Sequence, residues 1–219
     1  KISVYIDKNN LNANVTYNIE QFDTNNLDVV FNISENSKKT YIRNIIIKGN
    51  DLTEEKVLRN NIDFAEGDLL TKLKISNSID NLKTTGFFKD VKIKENKINN
   101  SNNVDVEIKI KESPTGEIGA GVGVGSNGSN VSFNFKENNL LGKGLGFSVL
   151  GSFGTESVSA NVFLTNPDFA SSGNLLKTGF YVSKYENDTS GYENKIIGSS
   201  ISTGFELFED TTLNYGISL

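Results

Sequence analysis

Cysteine, histidine and methionine are all absent from this chain of 219 residues. Without thiols or imidazoles there can be no disulfide, no thiolate nucleophile, no imidazole base and no ordinary zinc site. Carboxylates, Lys, Ser and Thr are left for any chemistry, so an enzyme is not expected and neither a cofactor nor a metal is called for. Lys1 opens the chain with no signal peptide before it. The expectation is that the natural start has been removed. No apolar run approaches the roughly 18 residues that a transmembrane helix requires, which leaves a soluble protein or a β-barrel. The net charge of −5 is too small to name a partner, and nucleic acid is not implied. Asn is frequent but follows no structural period, so matches such as Asn14-Val15-Thr16 and Asn130-Val131-Ser132 are expected by chance.

What is present changes character at Pro114. Of the 20 glycines, only Gly49, Gly67 and Gly86 precede it; of the 22 Lys and Arg residues, 17 precede it and five follow. The first half has the composition of a soluble domain, whereas the second is rich in Gly and Ser and nearly stripped of basic charge. Two units in two environments are the simplest account, and no long linker separates them.

The first half reads as an α+β module. Tyr41–Lys48 is a β-branched run closed by Gly49-Asn50. Thr53 is placed to cap a short helix with Glu54 and Glu55 in its first turn. Thr71 starts a second helix to about Thr85, with Ile75, Ile79 and Leu82 on one face and Gly86 as its stop. Val91 and Ile93 then alternate with lysines, as do Val104, Val106, Ile108 and Ile110 with Asp105, Glu107, Lys109 and Lys111. One face of this sheet is apolar and the other charged, so the two helices are expected to cover one side only. The order is β-α-α-β-β. Ahead of it, Ile2, Tyr5 and Ile6 fit the end of a helix, and Val15–Ile19 with Leu27–Ile33 form a strand pair.

After Thr115-Gly116 the pattern has period 2 for seven strands. Ile118, Val122 and Val124 alternate with glycines. Later sets centre on Phe133, Phe147, Val162, Phe180, Phe205 and Tyr215. Strands of about 9–11 residues match a tilted bilayer crossing. A soluble sandwich would alternate too, but its outer face would carry Lys and Glu; here the polar face is Ser, Asn, Gly and Thr, which suits a wet lumen. Asn127-Gly128 and Phe153–Glu156 read as tight hairpins and Glu186–Asn194 as a longer loop. Single-chain bacterial barrels need at least eight strands to close, so the native chain is expected to continue past Leu219.

In order, Ile47-Lys48-Gly49-Asn50, Thr85-Gly86-Phe87-Phe88 and Glu112-Ser113-Pro114-Thr115-Gly116 resemble a polypeptide-transport-associated (POTRA) module running into its barrel. Asn138-Asn139-Leu140-Leu141-Gly142-Lys143-Gly144 and Leu164-Thr165-Asn166-Pro167-Asp168-Phe169 resemble the first two periplasmic turns of the BamA family of outer-membrane assembly factors. The resemblance implies the C-terminal part of one POTRA module over 1–38, the membrane-proximal module over 39–113, and over 114–219 about seven of 16 antiparallel transmembrane β-barrel strands. It further implies an outer-membrane location with the N-terminal part in the periplasm, unfolded outer-membrane protein clients, accessory lipoproteins and outer-membrane lipid as partners, and insertion of other barrels as the function. Polypeptide-secretion transporters of the TamA-like and two-partner-secretion groups share both parts and are the alternative.

One strand stands out. Ile118, Gly119, Ala120, Gly121, Val122, Gly123, Val124 and Gly125 put glycine at alternate positions, which raises the entropic cost of ordering and weakens pairing. The family's first strand opens sideways and templates client strands through backbone hydrogen bonds, so these residues are the expected client-facing edge. Glycine that merely fits a crowded lumen wall is the bland alternative. A dinucleotide loop is excluded, because a strand pattern runs on where a helix should begin. Glu66 falls where the resemblance implies contact with a lipoprotein partner, although a loop Glu is commonly only solvated. The charged face with Lys92, Lys94, Lys109 and Lys111 reads as solvated surface, or as a docking site along an exposed sheet edge.

Overall fold

The computed structural model describes residues 13–23, 26–35, 39–99, 101–125, 128–187, 191–208 and 211–219. The helix end expected at Ile2–Ile6 and the turn residue Asn127 lie outside these. The chain divides into two compact units, one of residues 1–50 and 61–112, the other of residues 51–60 and 113–219.

The first unit begins with an antiparallel hairpin, β1 (Ala13–Asp23) and β2 (Asn26–Glu35). Its register sets Tyr17 opposite Phe31 and Ile19 opposite Val29, so one face is apolar. Tyr17, Ile19, Val29, Phe31 and Ile33 are all exposed. A three-stranded sheet follows from β3 (Tyr41–Lys48). Helix α1 (Glu55–Arg59) comes next in the chain and groups with the second unit. Then come α2 (Lys72–Thr84), β4 (Phe88–Lys97) and β5 (Asn103–Glu112), with the sheet in the order β3-β5-β4. The central strand β5 is parallel to β3 and antiparallel to β4.

The core of this unit is the apolar half of the alternation. Val104, Val106, Ile108 and Ile110 are buried from β5, and Val91 joins them from β4. Ile42 and Ile45 are both buried although three apart, because the register of β3 against β5 slips at Arg43, an extra residue that turns both side chains inward. Helix α2 packs on β4 and buries Leu82 and Ser78. The Ser78 hydroxyl donates to the Lys74 carbonyl (2.6 Å) and accepts from the Asp63 backbone N–H (2.9 Å), which ties the loop before the helix to its middle. Thr71 caps α2 as expected, its Oγ1 accepting from the Lys74 N–H, and Gly86 follows the helix with φ of 74°.

The second unit is a seven-stranded antiparallel meander, β6 (Gly116–Gly125), β7 (Gly128–Leu140), β8 (Leu145–Gly154), β9 (Ser157–Phe169), β10 (Asn174–Asn187), β11 (Tyr192–Phe208) and β12 (Thr211–Ser218). Its register aligns the alternation strand by strand. Ile118, Phe135, Val149, Val162 and Phe180 form one apolar row; on the opposite face Gly121, Ser132, Ser152, Ser159 and Ser183 form a polar one. Phe133 and Phe180 are exposed, not buried in a sandwich interior.

Aromatic rings fill the gaps that glycine leaves in this sheet. Phe133 lies over Gly151, its register partner, and Phe163 over Gly179; a Cβ on either glycine would collide with the ring. Phe133 also stacks on Phe153, with centroids 6.2 Å apart. On the polar face, the Lys177 ammonium sits 4.3 Å from the Phe163 centroid, a cation–π contact.

Two details differ from expectation. The ladder of β10 and β11 runs to Asn187 and Tyr192, so most of the stretch read as a loop from Glu186 to Asn194 is strand. The Leu164–Phe169 motif is the end of β9, and the turn itself follows at Ala170–Gly173. Pro167 is tolerated there because β8 pairs with β9 only as far as Thr165, so its missing N–H interrupts no ladder on that side.

Candidate functional site

Strand β6 ends the meander and, among the described residues, pairs with β7 alone. Its apolar side chains project freely: Ile118, Val122 and Val124 are 85%, 84% and 90% exposed. The glycine side is not bare. Asn134 reaches over Gly119, Ser132 over Gly121 and Asn130 over Gly123, each from the register partner on β7. Gly125 faces Gly128 with open space around it. The glycines therefore make room for an amide and hydroxyl layer supplied by the neighbouring strand. All eight residues singled out by sequence, Ile118 to Gly125, lie on this one edge strand.

The chain just before β6 is pinned. Glu137, at the register slip near the end of β7, accepts hydrogen bonds from the Thr115 hydroxyl and from the Asn139 backbone N–H (2.7 Å). Asn138 donates to the Thr115 carbonyl from its backbone N–H and from its side chain, both at 3.2 Å. A weakly packed strand thus leaves from a firmly held base.

The two turn motifs carry a second device, which the sequence did not disclose. Asn139 is buried; its Oδ1 accepts the Gly144 N–H (2.7 Å) and closes the first turn, while its Nδ2 donates to Thr53 Oγ1 (2.9 Å). Asp168 does the same at the second turn, accepting the Gly173 N–H (2.8 Å) on one oxygen and the Asn60 amide (2.6 Å) on the other. The Glu54 N–H donates to the Gly142 carbonyl at 2.8 Å. Gly142 is obligatory here, because φ is 73° and a Cβ would strike the Leu52 carbonyl. Residues 51–60 are consequently fastened at both ends to these turns. Thr53 does not cap α1 as expected: Glu54 holds that position with no side-chain bond, and the Thr53 hydroxyl is engaged by Asn139. An Asx residue set five places ahead of a turn glycine was the available signal in both motifs.

Glu66 is exposed, and its Oε1 accepts from the Ile45 N–H at 3.4 Å. Around it the Gly67 N–H donates to the Ile42 carbonyl, the Ile42 N–H to the Asp68 carbonyl, and the Leu70 N–H to the Thr40 carbonyl. Residues 66–70 thereby cover the outer edge of β3, a structural task that Glu66 shares. Glu66 and the β6 residues lie in different units. Among the described residues, no group of three or more acidic side chains is placed to hold a metal ion.

Comparison with known proteins agrees with this architecture. The POTRA family model, described as surface antigen variable number repeat, matches residues 40–113. The outer membrane protein assembly factor BamA of Neorickettsia risticii is 30% identical over 226 aligned residues; the alignment covers all of this chain and 30% of that protein. The chain thus spans about a third of the length of this curated relative. The crystal structure of BamA from Haemophilus ducreyi lacking POTRA domains 1–3 superposes with a TM-score of 0.75 at 29% identity, over 94% of this chain and 40% of that one. CdiB from Escherichia coli shares the fold at 15% identity, with a TM-score of 0.57 over 98% of this chain and 42% of its own. A sheet-and-helix module matched as POTRA, followed by a seven-stranded antiparallel sheet, makes this chain similar over its whole length to part of BamA.

Proposed function

We propose that this chain is part of a machine that assembles and inserts β-barrel proteins into the bacterial outer membrane, and that β6 is the edge on which client strands are built. The observation that carries this reading is the glycine at every second position of β6, covered only by Asn134, Ser132 and Asn130 of β7, which leaves this strand little side-chain packing of its own. An incoming strand gains affinity from main-chain hydrogen bonds, which are indifferent to sequence, as a template for many different clients requires. Glycine at alternate positions keeps the pairing weak enough to exchange. Driving energy comes from burying client apolar surface in lipid and satisfying its backbone in a closed barrel, so neither ATP nor a cofactor is needed and the role is non-enzymatic.

In this reading residues 39–113 are the periplasmic module next to the membrane, and residues 114–219 span the outer membrane. The apolar rows without a second layer support the latter. Residues 1–38 complete the sheet of a preceding module, which the exposed apolar face of the β1–β2 hairpin supports. Glu66 is proposed to meet an accessory lipoprotein; charge reversal there with unchanged recovery of the complex would remove it from the account. The likeness to CdiB bears on fold only and brings no secretion role with it.

Because the chain has no cysteine, single Val122→Cys and Val124→Cys variants test the template directly. During client assembly in vesicles, cross-links to the client's terminal strand are expected at both positions. Their absence during productive assembly rejects β6 as the template.

A further inference from the structure

The outward face of the β3-β5-β4 sheet is cationic in an acidic chain. Lys48, Lys109 and Lys92 stand abreast across the three strands; the next row sets Lys94 beside Glu107, and Asp90 faces Lys111 at the end. Arg43 lies over Asp105, its Nε donating at 2.8 Å. Six cationic heads thus accompany three carboxylates. Their depths differ. Glu107 and Asp105 are 14% and 16% exposed, whereas the Lys48, Lys109 and Arg43 side chains that pair with them are 50–56% exposed. Two of the three carboxylates are thus recessed beneath the cations that pair with them, and only Asp90, 49% exposed, stands level with its lysine.

Like charges directly opposite on a sheet are destabilising, and a face selected only for solubility would alternate its signs. Here Glu107 alone bridges two lysines, accepting from Lys48 at 3.1 Å and Lys109 at 2.8 Å, while Lys92 turns to Asp90 at 3.0 Å. An external anion would relieve this row. Five of the six heads are lysine ammonium groups, compact point charges without the planar fork that selects a fixed carboxylate geometry, and the single Arg is committed to Asp105. That composition suits a plane of phosphates better than a particular acidic peptide. In the chain, Lys109 and Lys111 lie seven and five residues ahead of Gly116, the start of β6. Basic clusters beside a spanning segment are drawn to anionic lipid headgroups.

We propose that this face docks on the phosphate headgroups of anionic lipids in the periplasmic leaflet, which would fix the module against the membrane it serves. The inference rests on the reading that β6–β12 span the outer membrane. Its test uses the full-length protein reconstituted into vesicles of phosphatidylcholine, alone or enriched in phosphatidylglycerol. A fluorophore on Asn96→Cys, an exposed position opposite Asp105 on this face, reports proximity to a headgroup-linked quencher. Quenching is expected to be several-fold stronger in the anionic vesicles and to vanish in molar salt. It should also vanish in the triple variant Lys48→Gln, Lys92→Gln, Lys109→Gln, which removes the row without adding repulsion. Protein that floats with both vesicle types yet is quenched equally in both overturns the docking alone, as does a triple variant quenched like the parent. Protein that floats with neither overturns the spanning reading beneath it.

Discussion

Strands β5 and β6 follow one another in the chain and alternate equally well, yet their apolar residues meet opposite fates. Val106 and Ile108 of β5 have no solvent exposure, whereas Val122 and Val124 of β6 are 84% and 90% exposed. Alternation therefore reports the pleat and leaves the surroundings undecided. The other face decides. Opposite Val106 and Ile108 stand Asp105, Glu107 and Lys109, which demand bulk water and so force their backs into a protein core. Opposite Val122 and Val124 stand glycines under neutral amides and hydroxyls. Such a face tolerates a confined lumen, and the apolar side is left for hydrocarbon.

The largest expected effect tests the two fates directly. Ile108→Ala removes a fully buried side chain and should destabilise the module by about 2–5 kcal/mol, whereas Val122→Ala should leave the resistance of the same protein to urea nearly unchanged. Urea titration in vesicles, followed by proteolysis of each unit, checks both. Equal losses would erase the distinction. Next in size is a charge placed on either face of the barrel sheet. Phe180→Arg should cost about 2–4 kcal/mol of folding into bilayers if it lies near the midplane, while Ser183→Arg on the polar face should cost far less. Reversible folding into vesicles measures the pair, and a larger loss at Ser183 would mean that the faces are assigned backwards.

A third prediction concerns the fastening of residues 51–60. Asn139→Ala removes the donor to Thr53 and the acceptor for Gly144, and should cost about 1–3 kcal/mol. The local sign is faster hydrogen exchange at the Glu54 amide, which donates to Gly142. Unchanged exchange there would show that the turn holds without Asn139.

The smallest effect is one of pH. In the module, Arg43 holds the Asp105 carboxyl below its usual range; Lys109 and then Lys48 do so for Glu107, and Lys92 for Asp90. Such groups bind protons more readily once the chain unfolds. Their contribution is complete above the ordinary carboxylate values of 3.8–4.5 and is lost as pH falls through and below them. The solvent exposure of their cationic partners keeps the effect small. Hydrogen exchange of β5 between neutral pH and pH 3 should show the loss, and Asp105→Asn should flatten it; a module that grows more stable on acidification would reverse the sign.

Much of this was legible in the chain. The order β-α-α-β-β and the seven strands follow from period and turn chemistry, because a strand with one wet face writes that face into every second residue. What was hidden depends on pairing across long separations. Thr53 looked like a helix cap because an N-cap threonine and a hydroxyl held by Asn139, 86 residues away, are identical in sequence. Glu66 resembled a free loop carboxylate for the same reason, until Ile45 was seen to donate to it. The cover over the β6 glycines was likewise invisible, since it belongs to Asn130, Ser132 and Asn134 of the next strand.

The rings laid over glycine have a consequence for how the sheet finds itself. Where every strand repeats with period two, sliding one strand by two residues keeps apolar against apolar and polar against polar, so alternation alone leaves several alignments nearly degenerate. A bulky side chain that fits only over a missing Cβ breaks the tie. Phe133 on Gly151, Phe163 on Gly179 and Tyr181 on Gly198 act as keys in a lock, one for each neighbouring pair of strands they join, and a slipped alignment would set each ring against a side chain instead of a vacancy.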